Sequence, residues 1–303
     1  MVKTSQFFIF AILSVYASQV SARAAKILAR CDKKLPSVPT VAKKEAMRHL
    51  GLRGGGAYTK KIFTPLGCLK DHVTVMLQIP LILGAYVGPF AIAPKTNEAI
   101  MLAVNSKNSC PWCTSLHGEL GRMAGLGENA MKINFAASTG EVQKASGGSD
   151  AETAFARTFA ENDGRGTLVA SAFNDLKSKI GPNKARSVRA LCWFLHWGSI
   201  CGNTIGAFVK GRLIGQPKCG SKWFSLDPLF ELVFTLLYAP CYTLITLTSL
   251  LLKVFPAGVP GFVSSLLGVV LTCVASIWIV AFGSLGVATA PIWLIASKAK
   301  STY

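Results

Sequence analysis

The chain has 303 residues, 51% of them hydrophobic, and carries 32 Lys and Arg against 14 Asp and Glu, a formal net charge of +18. That length allows a sizeable buried core, and the mean hydropathy of +0.42 exceeds that of ordinary soluble domains. The charge is concentrated at the front, since only Lys253, Lys298 and Lys300 lie beyond residue 222. These basic residues are scattered, without an RNP-like motif or interleaved aromatics, which argues against nucleic acid as a partner and for a basic surface beside anionic lipid headgroups.

The opening "MVKTSQFFIFAILSVYASQVSARAAK" sets Lys3 before an apolar run from Phe7 to Ala17 and a group of small residues. This is the pattern of a secretory signal cleaved after Ala22 or Ala24, so residues 1–24 are expected to be a signal or targeting peptide. Arg23, Lys26 and Arg30, all ahead of the first acid Asp32, keep an organelle-targeting peptide open as the alternative. Residues 25–76 read as a basic, glycine-containing extension. Within it "GLRGGGAYTKK" lacks both the preceding strand and the closing GK[ST] of a phosphate loop, and reads as a flexible connection. From Asp71 to Ala93 an apolar run is broken by Pro80 and Pro89, which predicts packed short helices in place of a membrane span.

Residues 95–136 and 151–209 repeat apolar and polar positions at helical spacing, joined by the polar stretch "STGEVQKASGGSD". No run of alternating strands is evident, so the expected fold class is all-α, with a helical domain over 77–222. Residues 232–252 carry no charge and are long enough to cross a hydrocarbon core of roughly 30 Å. Val254 to Ser297 is also uncharged, with one span expected near 262–282 and a shorter one near 284–297. Two or three transmembrane helices are therefore expected within 229–297, and with them a membrane location reached by the secretory or an organelle-targeting route. The signal-like start favours a lumenal domain, whereas Lys210, Arg212, Lys218 and Lys222 beside the first span favour the cytoplasmic face.

The chemistry-bearing stretch is "NSCPWCTSLHGEL" at 108–120. A cysteine pair at this spacing closes a redox disulfide, supplies half of a zinc site, or sits inertly in a core. Cys31, Cys68, Cys192, Cys201, Cys219, Cys241 and Cys273 form no second such pair, which leaves zinc short of ligands and puts redox chemistry first. A helix over 112–124 sets Cys113 and His117 on one face, where the imidazole takes the thiol proton and the positive helix end lowers the thiol pKa. Glu98 is the only acid between Asp71 and Glu119. It either folds back to orient His117 as a general base or stays solvated at the start of its own helix. His196 reads as a core histidine, Cys192 and Cys201 as buried thiols, and Cys241 and Cys273 as structural residues of the spans.

The segment "GPFAIAPKTNEAIMLAVNSKNSCPWCTSLHGELGRMAGL" resembles the redox branch of the alkyl hydroperoxidase D and carboxymuconolactone decarboxylase superfamily. Glu98, Cys110, Cys113, His117 and "MAGL" at 123–126 fall at the intervals of that family. The likeness continues more weakly through "AETAFARTFA" and "ALCWFLHWGSICGNTIGAF", where Asn203 matches a family asparagine, and it covers roughly residues 86–210. The resemblance implies an all-α alkyl hydroperoxidase D-like domain, a homo-oligomer, acting as a thiol-dependent peroxidase or disulfide oxidoreductase. It implies that Cys113 is the peroxidatic cysteine, Cys110 the resolving cysteine and proton donor, and His117 with Glu98 the relay that ionises Cys113. No cofactor is implied beyond the redox-active Cys110–Cys113 disulfide; the implied partners are a hydroperoxide and a thiol or dithiol reductant, with membrane lipid alongside. Trp112 departs from the polar residue that peroxidase members can carry between the cysteines, and either narrows substrate access or favours an apolar hydroperoxide. The decarboxylase branch lacks the cysteine pair, and a thioredoxin-like fold lacks its preceding strand here. The alternative is a catalytically inactive scaffold of the same fold, serving as a membrane-bound binding or assembly protein.

Overall fold

A computed structural model describes residues 61–108, 110–127, 150–209 and 227–300, all within one contact-dense unit, Gly55–Tyr303. The expected signal peptide at 1–24, the glycine run at 51–56, the connector at 138–149 and the basic flank at 210–226 lie outside the described residues. The described residues are helical, without strands: α1 Pro65–Met76, α2 Ile79–Tyr86, α3 Pro94–Asn108, α4 Pro111–Met123, α5 Asp150–Glu161, α6 Thr167–Ile180, α7 Pro182–Ala207, α8 Asp227–Leu252 and α9 Gly261–Lys300. The expected all-α class is thus what the described residues adopt.

Proline sets several of the helix starts. Pro65, Pro94, Pro111 and Pro182 each open a helix, where the missing N–H has no intrahelical acceptor and the fixed φ suits the first turn. Thr64 caps α1 by accepting the Gly67 N–H at 3.1 Å. Pro80 cannot donate to a continuing α1, and the chain bends by 53° between α1 and α2. The expected pair of short helices is therefore present, and taken together they also have the length and apolarity of a broken span.

At the centre stands α3, buried on every side from Asn97 to Asn105. Such all-round burial marks a helix enclosed by its neighbours, here α4, α5 and α7. Along most of its length α7 is equally enclosed, and it touches α1, α2, α3 and α8. On the far side α5 and α6 meet through Phe155 and Phe173, with Phe159 beside Phe155 on α5. Their turn passes through Asp163 and Gly164, both at positive φ. A Cβ at Gly164 would stand 2.5 Å from the Phe159 ring and 2.8 Å from Trp193, so only glycine fits.

Among the described residues two helices are long and apolar enough to cross a membrane, over Leu229–Leu252 and Gly261–Gly283. The separate short span expected near 284–297 is not present; the helix runs unbroken from Gly261 through Pro291 to Lys300. An internal proline removes one helical hydrogen bond, and an apolar segment still satisfies its remaining backbone groups best by staying helical. At 40 residues α9 extends about 60 Å, twice a hydrocarbon core of ~30 Å.

The spans are packed against the other helices along their length. On α8, Phe234 meets Phe63, Tyr238 meets His72 and Trp197, and Tyr242 meets Trp112. The opposite face of α8 exposes Leu229, Leu232, Leu236, Leu247 and Leu251. In α9, Gly268 leaves room for the Tyr86 ring, and Phe262, Leu266, Val270 and Ile277 are exposed. Around the α8–α9 turn, Arg122 of α4 donates to the carbonyls of Leu252 at 2.9 Å and Phe255 at 2.8 Å, satisfying acceptors freed at the end of α8.

Candidate redox site

The cysteine pair sits where α3 ends and α4 begins, and one side chain joins the two helices. Asn105 accepts the Cys110 N–H through Oδ1 at 3.1 Å and donates Nδ2 to the Cys110 carbonyl at 3.1 Å and to Thr114 Oγ1 at 2.6 Å. Ser199 of α7 donates to the same Oδ1 at 3.1 Å, tying the joint to the central helix. Cys110 occupies the N-cap of α4, and its Sγ accepts the Cys113 N–H at 3.4 Å. A cap position thus brings the first sulfur over the turn that carries the second. Both cysteines are free thiols, and they are 0% and 5% exposed.

Glu98 and His117 come together across α3 and α4, with Oε2 and Nδ1 2.8 Å apart. At 5% and 8% exposure the pair is enclosed, so Glu98 is not the solvated helix-start residue of the alternative reading. The carboxylate fixes Nδ1 and leaves Nε2 for proton exchange. His117 shares the buried face of α4 with Cys113, as the four-residue spacing predicts, yet no hydrogen bond joins them among the described residues.

Electrostatics at Cys113 run opposite to the sequence expectation. The helix start was expected to lower its pKa; burial instead pushes the thiol well above the ordinary cysteine range, and the neighbouring Cys110 sulfur adds to the rise. A hydrogen bond from Ser199 pulls the other way and is outweighed. The physical reason is that a thiolate enclosed by apolar groups loses more hydration than one helix end returns. At neutral pH Cys113 therefore rests as a thiol.

The walls of the site come from distant parts of the chain. A Cβ on Gly202 would lie 2.6 Å from Cys110 Sγ, 2.8 Å from the Tyr242 ring and 3.2 Å from the Trp112 ring. Trp112 meets Tyr242 edge to face at 5.6 Å, and the Tyr242 hydroxyl donates to the Gly198 carbonyl. Behind the cysteines, Asn203 donates to the Asn108 carbonyl at 2.7 Å, which puts the asparagine singled out in the sequence next to the α3–α4 joint. His196 is a core residue as expected: Asn108 Nδ2 donates to its Nδ1 at 3.2 Å, and burial lowers its pKa to about 4. Cys192 and Cys201 are fully buried, Cys241 is buried, and Cys273 lies exposed on α9.

Sequence reasoning did not single out Asn105, Ser199, Gly202 or Tyr242. Gly202 left a signal, a small residue in an otherwise apolar helix marking close approach. "CLKDH" left another: Cys68 and His72 repeat the spacing of Cys113 and His117, and Cys68 Sγ lies 3.4 Å from His72 Nδ1. Asn105 and Ser199 act through contacts that no local pattern announces.

Among the described residues no group of three or more His, Cys, Asp and Glu side chains is placed to hold a metal ion. Fold and site together define a chain whose described residues are helical, with two helices long and apolar enough to cross a membrane and an enclosed glutamate, histidine and dithiol. Comparison with protein-family models, curated proteins and solved structures finds no match for this chain.

Proposed function

We propose that this chain is a membrane-associated, alkyl hydroperoxidase D-like thiol peroxidase that reduces hydroperoxides through Cys110 and Cys113. The observation that carries the reading is the enclosed Glu98–His117 pair, 2.8 Å apart, on the same helix pair as the two thiols. Enclosing a carboxylate costs several kcal/mol unless it is paired, and the partner here is the imidazole four residues from Cys113.

The chemistry follows in balanced steps. As hydroperoxide enters, His117 Nε2 takes the Cys113 proton and Glu98 stabilises the imidazolium. The thiolate attacks the terminal peroxide oxygen, the O–O bond breaks, and the leaving alkoxide takes the Cys110 proton to depart as the alcohol. Cys113 is left as a sulfenic acid. The Cys110 thiolate, already over the Cys113 amide, attacks that sulfur; hydroxide leaves as water with the proton held by His117, and the disulfide forms. A dithiol reductant then returns two electrons. In this scheme the raised resting pKa ties ionisation to substrate entry, protecting the idle site from adventitious oxidation. A homo-oligomeric state belongs to the same proposal through the family resemblance.

A second reading draws on that raised thiol and on the burial of both sulfurs: an inactive scaffold of this fold, acting as a membrane-bound binding or assembly protein. Peroxide-dependent oxidation of a dithiol by the purified chain separates the two. Cys113→Ser should abolish the turnover; full turnover in that variant would remove the assignment.

A further inference from the structure

The thiols lie behind a helix that is itself apolar enough to cross a membrane. Trp112, between the cysteines, meets Tyr242 of α8, and Ser115 Oγ and Ser249 Oγ are 2.6 Å apart further along the same two helices. Arg122, at the end of α4, reaches Leu252 and Phe255 at the end of α8. The helix that carries the redox pair therefore runs beside the second half of α8.

Charge marks one edge of this arrangement. At the α8–α9 turn stand Arg122, its partner Glu119 at 2.9 Å, and Lys253. From that turn α8 carries no charge back to Leu232 and α9 none from Gly261 to Ser297. Their outer faces, as far as Gly283 on α9, expose leucine, valine, phenylalanine and isoleucine. Two neighbouring uncharged helices of span length, with charge gathered at the turn that joins them, fit lipid acyl chains as the covering medium. Tyr242 lies ten residues before Leu252, about 15 Å along the helix, or half of a ~30 Å hydrocarbon thickness. The dithiol is one helix layer behind it, roughly 10 Å from the apolar face.

We propose that the oxidant is a hydroperoxide carried on a lipid acyl chain, which reaches Cys113 from the bilayer past the Trp112–Tyr242 wall. This rests on the peroxidase reading above and adds its substrate class. The lipid hydroperoxide is reduced to the lipid alcohol while Cys113 becomes the sulfenic acid; Cys110 closes the disulfide with loss of water, and an external dithiol restores both thiols.

The test uses the full chain reconstituted into phosphatidylcholine nanodiscs and reduced with dithiothreitol, which is then removed. Disulfide formation between Cys110 and Cys113 is followed by alkylation and mass spectrometry. Phosphatidylcholine hydroperoxide placed in the disc is compared with hydrogen peroxide and tert-butyl hydroperoxide added from water at equal molar excess. The expected result is closure at least tenfold faster with the lipid hydroperoxide. Equal or faster closure with the water-borne peroxides would overturn the lipid route while leaving the peroxidase reading in place. Absence of closure with all three would overturn both.

Discussion

Glu98 Oε2 and His117 Nδ1 lie 2.8 Å apart between two helices, with little of either residue reached by solvent. In the proposed chemistry the pair acts as one unit, the carboxylate holding the ring and the ring moving the proton. Glu98→Gln keeps the shape and removes the charge. It should slow peroxide-driven disulfide formation by roughly a hundredfold, as should His117→Asn. The double variant should be little slower than either alone, as groups acting together are not additive. Stopped-flow measurement of thiol loss checks this, and independent, multiplying effects would count against the relay.

Asn105 should matter as much for stability as for chemistry. Asn105→Ala deprives the Cys110 N–H and carbonyl, Thr114 and Ser199 of a buried partner. A cost of about 3 kcal/mol is expected from groups left unsatisfied. Asn105→Asp keeps the acceptor for Cys110 N–H but sets a buried, unpaired carboxylate oxygen against the Cys110 carbonyl, so it should cost at least as much as alanine. Denaturant unfolding in detergent orders the three.

This part of the site shows what the sequence could and could not convey. Glu98, Cys110, Cys113 and His117 belong to two consecutive helices, so helical spacing and one short turn were enough to bring them into view. The α3–α4 joint depends on Ser199, and the wall on Gly202 and Tyr242, which approach from more than 80 residues away and answer to packing instead of local pattern. The direction of the Cys113 pKa was misread for the same reason: the helix-end effect is visible in sequence, but the burial that overrides it is a property of the assembled helices. Likewise the apolar tail was legible as span-forming, whereas its packing along α4, α1 and α2 was not.

Gly202 should tolerate no side chain. In Gly202→Ala the new methyl would overlap Cys110 Sγ and the Tyr242 ring, and about 1–3 kcal/mol of destabilisation is expected despite the better helix propensity of alanine. Adding Cys110→Ala removes the closest of those contacts and should restore part of the loss. Thermal unfolding of the single and double variants measures this coupling.

His196 gives a pH dependence with a defined sign. Its pKa falls from 6.5 to about 4 on folding because burial disfavours the imidazolium. Its neutral form is matched to the fold above pH 6.5; as pH falls toward 4 the unfolded chain takes up the proton first, and stability drops. The drop amounts to about 3 kcal/mol between pH 7 and pH 4. His196→Asn should remove that slope relative to wild type, and parallel pH profiles for the two proteins would contradict the assignment.

The central claim is tested most directly on the peptide spanning residues 108–122, which trypsin releases at Lys107 and Arg122 with both cysteines inside it. Reduced protein exposed to a small excess of hydroperoxide and then alkylated should yield this peptide unlabelled and lighter by two hydrogens, and Cys113→Ser should yield it labelled at Cys110. If the wild-type peptide instead carries two alkyl groups after exposure to lipid-borne and water-borne hydroperoxides alike, Cys110 and Cys113 are not a redox pair and the peroxidase account is contradicted.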